Sequence, residues 1–430
     1  MSYFATVKQL RREAWIVLGA SVAQGLTWTG LSDAVLNLYQ VRMGYGPEFV
    51  GTSAAVSNLG YALASIPGAA VSRRLGARRS MMLGSLGWVV GLVLLSISDL
   101  VPSGLQGAWV LAVRLAASAG LALFMVSSQP YMTAVTTAEE RPHAFALIIA
   151  LRPLGAVVGA MMGGLLPGLF AGLGGPFGSS LADARPYGMT LAVGILVYLP
   201  VFWWLQRLPD DRPGRVTVSG GAAVPGADEL HAWAGGPAQP ARAPVAILAA
   251  IAVVCALRVG GEFTARTFFS VYLDEQWAIS AAQIGTTIAL SNLISIPAPL
   301  VTPALVRRWG RVWTIAASAA GVALSILLMG LSGDWLVVAG GFIVMTVFAA
   351  MARSVWSLVI QESVTESWRS LAAGVANLFS GFGTMVMSSV GGVLAAGWGY
   401  PATFLTSAAL VGLGAVTVWL TFRGTDGTAS

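Results

Sequence analysis

The chain is poor in charge. Only 10% of its 430 residues are Asp, Glu, Lys or Arg, against roughly 25% in soluble globular domains. That composition excludes an ordinary soluble fold. Lysine is almost missing: Lys8 is the sole one, so the G-x-x-x-x-G-K-[ST] loop of a nucleotide-driven pump has no lysine to use. Histidine occurs twice, at His143 and His231, and cysteine once, at Cys255. One cysteine inside an apolar run leaves no intrachain disulfide and no cysteine metal cluster. The two histidines form no grouped nucleophile, base or metal set for an intramembrane enzyme. No catalytic residue, metal or cofactor is expected.

Apolar residues are what the chain has in excess. They make up 56% of it, mean hydropathy is +0.76, and 52 residues are glycine. Runs of about twenty apolar residues recur along the whole length, enough to cross a hydrocarbon core of about 30 Å as helices. A spanning helix satisfies its backbone internally, and small residues let such helices approach closely. The expected fold class is therefore all-α integral membrane, with spans at 14–38, 49–72, 79–98, 106–131, 143–169, 187–206, 244–272, 283–306, 312–332, 335–360, 370–395 and 401–422. The N-terminus, with Lys8, Arg11 and Arg12 before an apolar run, resembles a signal peptide. That run is too long for a signal core and lacks a small-residue cleavage site, so it reads as the first span. Between the sixth and seventh spans lies a Pro-, Gly- and charge-rich stretch without hydrophobic period, read as a linker. The expected organisation is 1–206, a six-helix half; 207–243, the linker; and 244–430, a second six-helix half.

An internal repeat supports the two halves. GTSAAVSNLGYALASIPGAAVSRRLG, residues 51–76, aligns without gaps on GTTIALSNLISIPAPLVTPALVRRWG, residues 285–310, with 11 of 26 positions identical. The matches include Ser57 and Asn58 with Ser291 and Asn292, Arg73 and Arg74 with Arg307 and Arg308, and Gly76 with Gly310. Parallel repeats of this kind build many secondary transporters. Seventeen Lys and Arg residues fall on one set of loops and termini, and only Arg42 and Arg185 fall on the other. By the positive-inside bias both termini are cytosolic. The net charge of +6 sits in short clusters between apolar runs, which argues for lipid headgroups and against nucleic acid as a partner. Pro67, Pro297, Pro299 and Pro303 are placed to bend the second and eighth spans.

Two six-helix halves, a cytosolic linker and basic turns after spans two and eight resemble the major facilitator superfamily over the whole chain. In that family the turn after the second span reads approximately G-x-L-A-D-R-x-G-R-R. Arg74, Gly76 and Arg78 fit, while Arg73 stands where the aspartate belongs. The resemblance implies a gate latch for Arg73, Arg74, Arg78, Arg307 and Arg308; topology and lipid contact alone are the other reading. Gly76 and Gly310 permit tight turns. In span five, GAVVGAMMGG, with Gly155, Gly159, Gly163 and Gly164, is similar to the antiporter signature G-x-x-x-G-P-x-x-G-G, with Ala160 for the proline. In the family this face lies between the halves and accompanies export. Gly383, Gly391 and Gly392 occupy the equivalent run of span eleven.

Charges inside spans cost a few kcal/mol each, so they are functional suspects unless paired. Seven qualify: Asp33, Arg114, Arg152, Arg258, Glu262, Arg266 and Arg353. Arg258, Glu262 and Arg266 recur every fourth residue, a plus–minus–plus ladder along one helix face, either structural or lining a cavity. Asp33, in a span made polar by Gln24, Thr27, Ser32 and Asn37, is the first candidate for a proton site. A static ion pair with Arg114, at similar depth, is the alternative. Arg114 also resembles the arginine of the family's R-x-x-Q-G motif. Glu262 is the second proton candidate. With these pairs made, Arg152 and Arg353 are left without evident partners, so part of the cargo is expected to be anionic. Trp28 and Trp356 lie deep enough to touch cargo or simply to pack.

The expected function is secondary active transport of a small organic solute across the cytoplasmic membrane by alternating access, as proton-coupled efflux. Proton-coupled uptake or exchange of a nutrient or organic anion is the alternative. A monomer with a small-molecule substrate and H+ as partners is expected.

Overall fold

The computed structural model describes residues 10–137, 139–175, 180–209, 245–364 and 368–422. The linker reading, with His231, falls almost wholly outside the described residues. Twelve spans follow one another. α1 has three continuous segments, Arg12–Gln24, a π-helical Gly25–Ser32 and Asp33–Arg42. α2 is Pro47–Leu75, α3 Ala77–Ser96, α4 Ser103–Val135, α5 Arg141–Leu173 and α6 Arg185–Gln206. α7 is Val245–Trp277, α8 the pair Ala281–Ser295 and Ala298–Trp309, α9 Arg311–Leu331, α10 Trp335–Glu362, α11 Arg369–Trp398 and α12 Tyr400–Phe422. Among the described residues nine helices are long and apolar enough to cross a membrane unbroken, and two bent pairs raise this to eleven. The twelfth, α1, is divided by its π-helical stretch into segments of 13, 8 and 10 residues, each too short to cross alone.

The punctuation has local causes. α2 bends by 48° at Pro67 and α8 by 44° beside Pro297, where proline removes a backbone donor and crowds the preceding turn. Gly76 and Gly310 end α2 and α8 with φ of 85° and 80°, a conformation that costs residues with a Cβ and costs glycine little. α8 starts at a reciprocal cap between Ser280 and Gln283, which satisfies amides that would otherwise be orphaned.

Because twelve spans are an even number, Arg12 and Phe422 lie at the same end, the terminal face; Arg42 and Trp277 lie at the far face. The apolar core has the form of a Y. One cluster at the far end joins both sets of helices, from Val35, Tyr39 and Tyr187 to Phe268, Phe269, Phe342 and Phe404. Toward the terminal face it divides into two clusters, one built from α1, α3, α4, α5 and α6 and one from α7, α9, α10, α11 and α12. The helix pairs α2–α11, α5–α8 and α1–α7 join the halves, and beyond its bend α8 packs on α9 and α10 of its own half.

Glycines set these crossings, and their placement corrects the expectation for α5. A Cβ on Gly155 or Gly159 would overlap the carbonyl of Val22 or Leu26 of α1, and one on Gly163 would meet Ala34 and Val35. Three of the four signature glycines thus pack inside their own half. Only Gly164 faces the other half, its Cβ position 3.0 Å from the Cα of Gly285 on α8. The duplicated run keeps three of the four: Gly383 packs with Gly260 to bring α11 onto α7, Gly391 faces Thr264 and Phe268, and a Cβ on Gly51 of α2 would lie 3.0 Å from the Cα of Gly392. A side chain at such a backbone contact can be accommodated only by separating the helices. Gly159→Leu is expected to destabilise the solubilised protein by about 1–3 kcal/mol or more. Gly168→Leu, also on α5 but with nothing within 4 Å of its Cβ position, is expected to be neutral. Equal thermal unfolding midpoints for the two variants would contradict this packing.

Candidate functional site

The π-helical stretch of α1 rests on the glycines of α5. The Ser32 hydroxyl donates to the Thr27 carbonyl five residues back, at 2.7 Å, and the Thr27 hydroxyl donates to the Ala23 carbonyl at 3.0 Å. Hydroxyls that satisfy backbone in this way support a widened turn, and such turns concentrate at functional sites. Directly after it comes Asp33, exposed to a cavity among α1, α2, α3, α4 and α7 that encloses about 890 Å³, its open side included.

Five of the nine expected cavity residues line this space: Trp28, Asp33, Asn37, Arg114 and Arg266. Asp33 is its one carboxylate, and among the described residues it makes neither a hydrogen bond nor an ion pair. The expected static pair with Arg114 is therefore not formed. Arg114 instead donates from Nη1 to the Ser53 hydroxyl at 3.2 Å, so the two charges share the cavity without touching. Arg266, Arg114 and Arg152 are the cations that act on Asp33 electrostatically. Asn37 donates to the Thr267 carbonyl of α7 at 2.8 Å, tying α1 to the opposite half. Trp28 stacks on Tyr61 with centroids 6.1 Å apart and carries the Arg152 guanidinium 5.2 Å from its ring centroid.

The other four expected residues lie outside the cavity lining. Glu262 is 2% exposed and its Oε1 accepts from Arg266 Nε at 3.2 Å and from Arg353 Nη1 at 2.7 Å. Arg353 thus has a partner, contrary to expectation, because α10 packs on α7 and delivers it from 91 residues away. The expected ladder has one rung only. Arg258 is buried, and its Nε and Nη1 have no hydrogen-bond partner. Trp356 is a packing residue: it is buried, and its Nε1 donates to the Cys255 sulfur at 3.1 Å.

Several residues that matter were not singled out by sequence. Asn58 and Tyr61 of α2 line the cavity with Ser57 and Ser118; Ser57 and Asn58 were visible only as part of the repeat. At the far face Arg42 makes a bidentate pair with Asp274 of the other half, at 2.7 and 2.6 Å, and Arg185 pairs with Asp99 at 3.1 Å. These are the two basic residues on the arginine-poor side, and matching them to the nearby acids would have found them. At the terminal face Arg73, Arg74, Arg307 and Arg308 are exposed, while Arg78 donates to the Gln206 carbonyl at the C-terminus of α6, where a cation also meets the negative helix end.

The profile of the Major Facilitator Superfamily matches residues 15–257 and 251–430. The chain belongs to the major facilitator superfamily. It is a multi-pass membrane transporter of small solutes by that membership, and among curated proteins no sequence matches it. Solved structures of the superfamily share its fold at low identity. The nucleoside transporter NupG is 15% identical with a TM-score of 0.72, covering 96% of this chain and 100% of that one. The xylose transporter XylE from E. coli, in an inward-open conformation, is 14% identical with a TM-score of 0.72, covering 94% and 95%. The human organic anion transporter MFSD10 is 18% identical with a TM-score of 0.60, covering 95% and 99%.

The Arg42–Asp274 pair joins the two halves across the closed face and is partly shielded, with side-chain exposures of 21% and 9%. Hydrogen bonds to charged groups contribute about 1.5–3 kcal/mol each. Arg42→Ala and Asp274→Ala are each expected to raise labelling of a cysteine placed at Asn37 by a membrane-impermeant thiol reagent added from the far side, roughly tenfold. The double variant should add little to either. Unchanged labelling in both single variants would show that this pair does not hold the face shut.

Proposed function

We propose that the chain is a proton-coupled transporter of a small organic anion, working by alternating access in the cytoplasmic membrane with its terminal face toward the cytosol. The observation that carries this reading is the cavity's set of charges: two guanidinium groups and one unpaired carboxylate. Arg114 spends only Nη1 on the protein, and Arg266 only Nε, which leaves N–H groups with the forked geometry that suits a carboxylate or phosphate.

Coupling follows from the charge count. With Asp33 ionised, the cavity carries two positive charges and one negative; a proton on Asp33 raises the excess from one to two. A charge removed about 6 Å from a bound anion changes its energy by about 3 kcal/mol at an effective dielectric near 20, about a hundredfold in affinity. Proton and anion then bind better together than apart, which makes them co-substrates moving the same way and favours uptake. Export by proton antiport is the second reading, favoured by the glycine run of α5; three of its glycines bind α1 rather than the other half, so its structural support is thinner. Glu262, held by two arginines, is read as an anchor between α7 and α10.

Both readings are tested by proton movement in proteoliposomes. Under this proposal an organic anion gradient drives protons in the anion's direction, and Asp33→Asn abolishes that flux while anion exchange persists. Glu262→Gln should instead lower the thermal unfolding midpoint, because it removes the buried charge that Arg266 and Arg353 share, a charged hydrogen bond contributing about 1.5–3 kcal/mol. Protons running against the anion would favour antiport, and full coupling in Asp33→Asn would remove Asp33 from the mechanism.

A further inference from the structure

The cavity is graded along its depth, and the grading narrows the cargo further. α1 rises from the terminal to the far face, so Trp28 precedes Asp33 on the path inward. α4 and α2 run the other way, and there Leu121 precedes Arg114, and Tyr61 precedes Asn58, on the path inward. On α7 Phe263 precedes Arg266 in the same sense. Asp33, Arg114 and Arg266 therefore lie toward the closed far end, with Leu36, Asn37 and Leu95 beyond them. The wall nearer the open end is aromatic, with Trp28, Tyr61, Trp88 and Phe263.

That wall is held in place before anything binds. Trp88 donates its indole N–H to the Thr27 hydroxyl at 3.1 Å, so it offers the cavity ring surface and no free donor. Trp28 and Tyr61 stack on one another at an interplanar angle of 21°, and so form one aromatic block that borders the cavity. Arg152 caps Trp28, which immobilises the ring and draws on its electron density. Aromatic rings with two torsions each lose little freedom on binding, and they prefer offset-stacked or edge-on contact with another ring. A flexible alkyl chain would gain burial against such a wall but none of the stacking.

We infer that the cargo is an aromatic carboxylate, bound with its acid group on Arg114 and Arg266 at the closed end and its ring against Trp28 and Tyr61. This rests on the organic-anion reading of the same cavity and names the part of the molecule that reading leaves open. Asn58 adds to the fit: its Nδ2 is committed to the Ala54 carbonyl at 2.9 Å, so its amide oxygen is the group left to accept from a donor on the ring.

Isothermal titration of the full-length protein in detergent tests this with three probes of similar size. Benzoate carries both features, cyclohexanecarboxylate only the charge, and benzamide only the ring. Benzoate is expected to bind roughly tenfold tighter than cyclohexanecarboxylate, from edge-on or offset ring contact with the aromatic block, and benzamide weakest of all. Trp28→Leu should weaken benzoate more than cyclohexanecarboxylate and so collapse their ratio toward one, and Arg114→Met should weaken both acids. Tyr61→Leu gives the same comparison if Trp28→Leu does not yield monodisperse protein. Equal binding of the two acids, both weakened by Arg114→Met, would overturn the aromatic assignment and leave the organic-anion reading intact. Benzamide binding as well as benzoate, or no binding of either acid, would overturn both.

Discussion

Backbone-to-backbone approach at glycine is the constraint on which this transporter depends. Gly159 on Leu26 fixes α5 against α1, and Gly383 on Ala256 fixes α11 against α7. Each half is thereby a rigid body organised around its own first helix. The halves meet through a second duplicated pair of contacts, Gly164 with Gly285 and Gly51 with Gly392, at the far face. The division of the apolar core into one shared stem and two separate arms is the same fact seen in the side chains.

Charge placement follows from that scaffold. In a low-dielectric slab an ionised side chain needs a partner or a polar cavity. Glu262, Arg266 and Arg353 take the first course and bind α7 to α10. Asp33 and Arg114 take the second, facing an open space rather than each other. The α5 glycines connect the two themes: they let α1 approach closely where it widens into a π-helix, and that stretch ends at Asp33. Packing and chemistry thus meet at one turn of one helix.

Much of the fold was legible because its signals are local. Apolar run lengths placed all twelve spans within about five residues of their ends, Pro67 and Pro297 announced the bends, and Gly76 and Gly310 the turns. The site was less legible. Spacing showed that Gly155, Gly159 and Gly163 share a face, but a face does not name its neighbour, and the neighbour is α1. The partner of Arg353 lies 91 residues away, beyond any spacing argument. The π-helical turn leaves no periodic signature, since it depends on what packs beside it. Asp33, Arg114 and Arg266 stand out in the sequence as charges inside apolar runs, yet nothing in their spacing says that Asp33 stays unpaired.

The most direct measurement of the account is to lock the far face. Cysteines replacing Arg42 and Asp274, joined by a short cleavable crosslinker in proteoliposomes, would hold the two halves together where they now meet. The account requires solute transport to stop while the crosslink is intact and to return when it is cleaved. Transport that continues undiminished through the locked protein would contradict it.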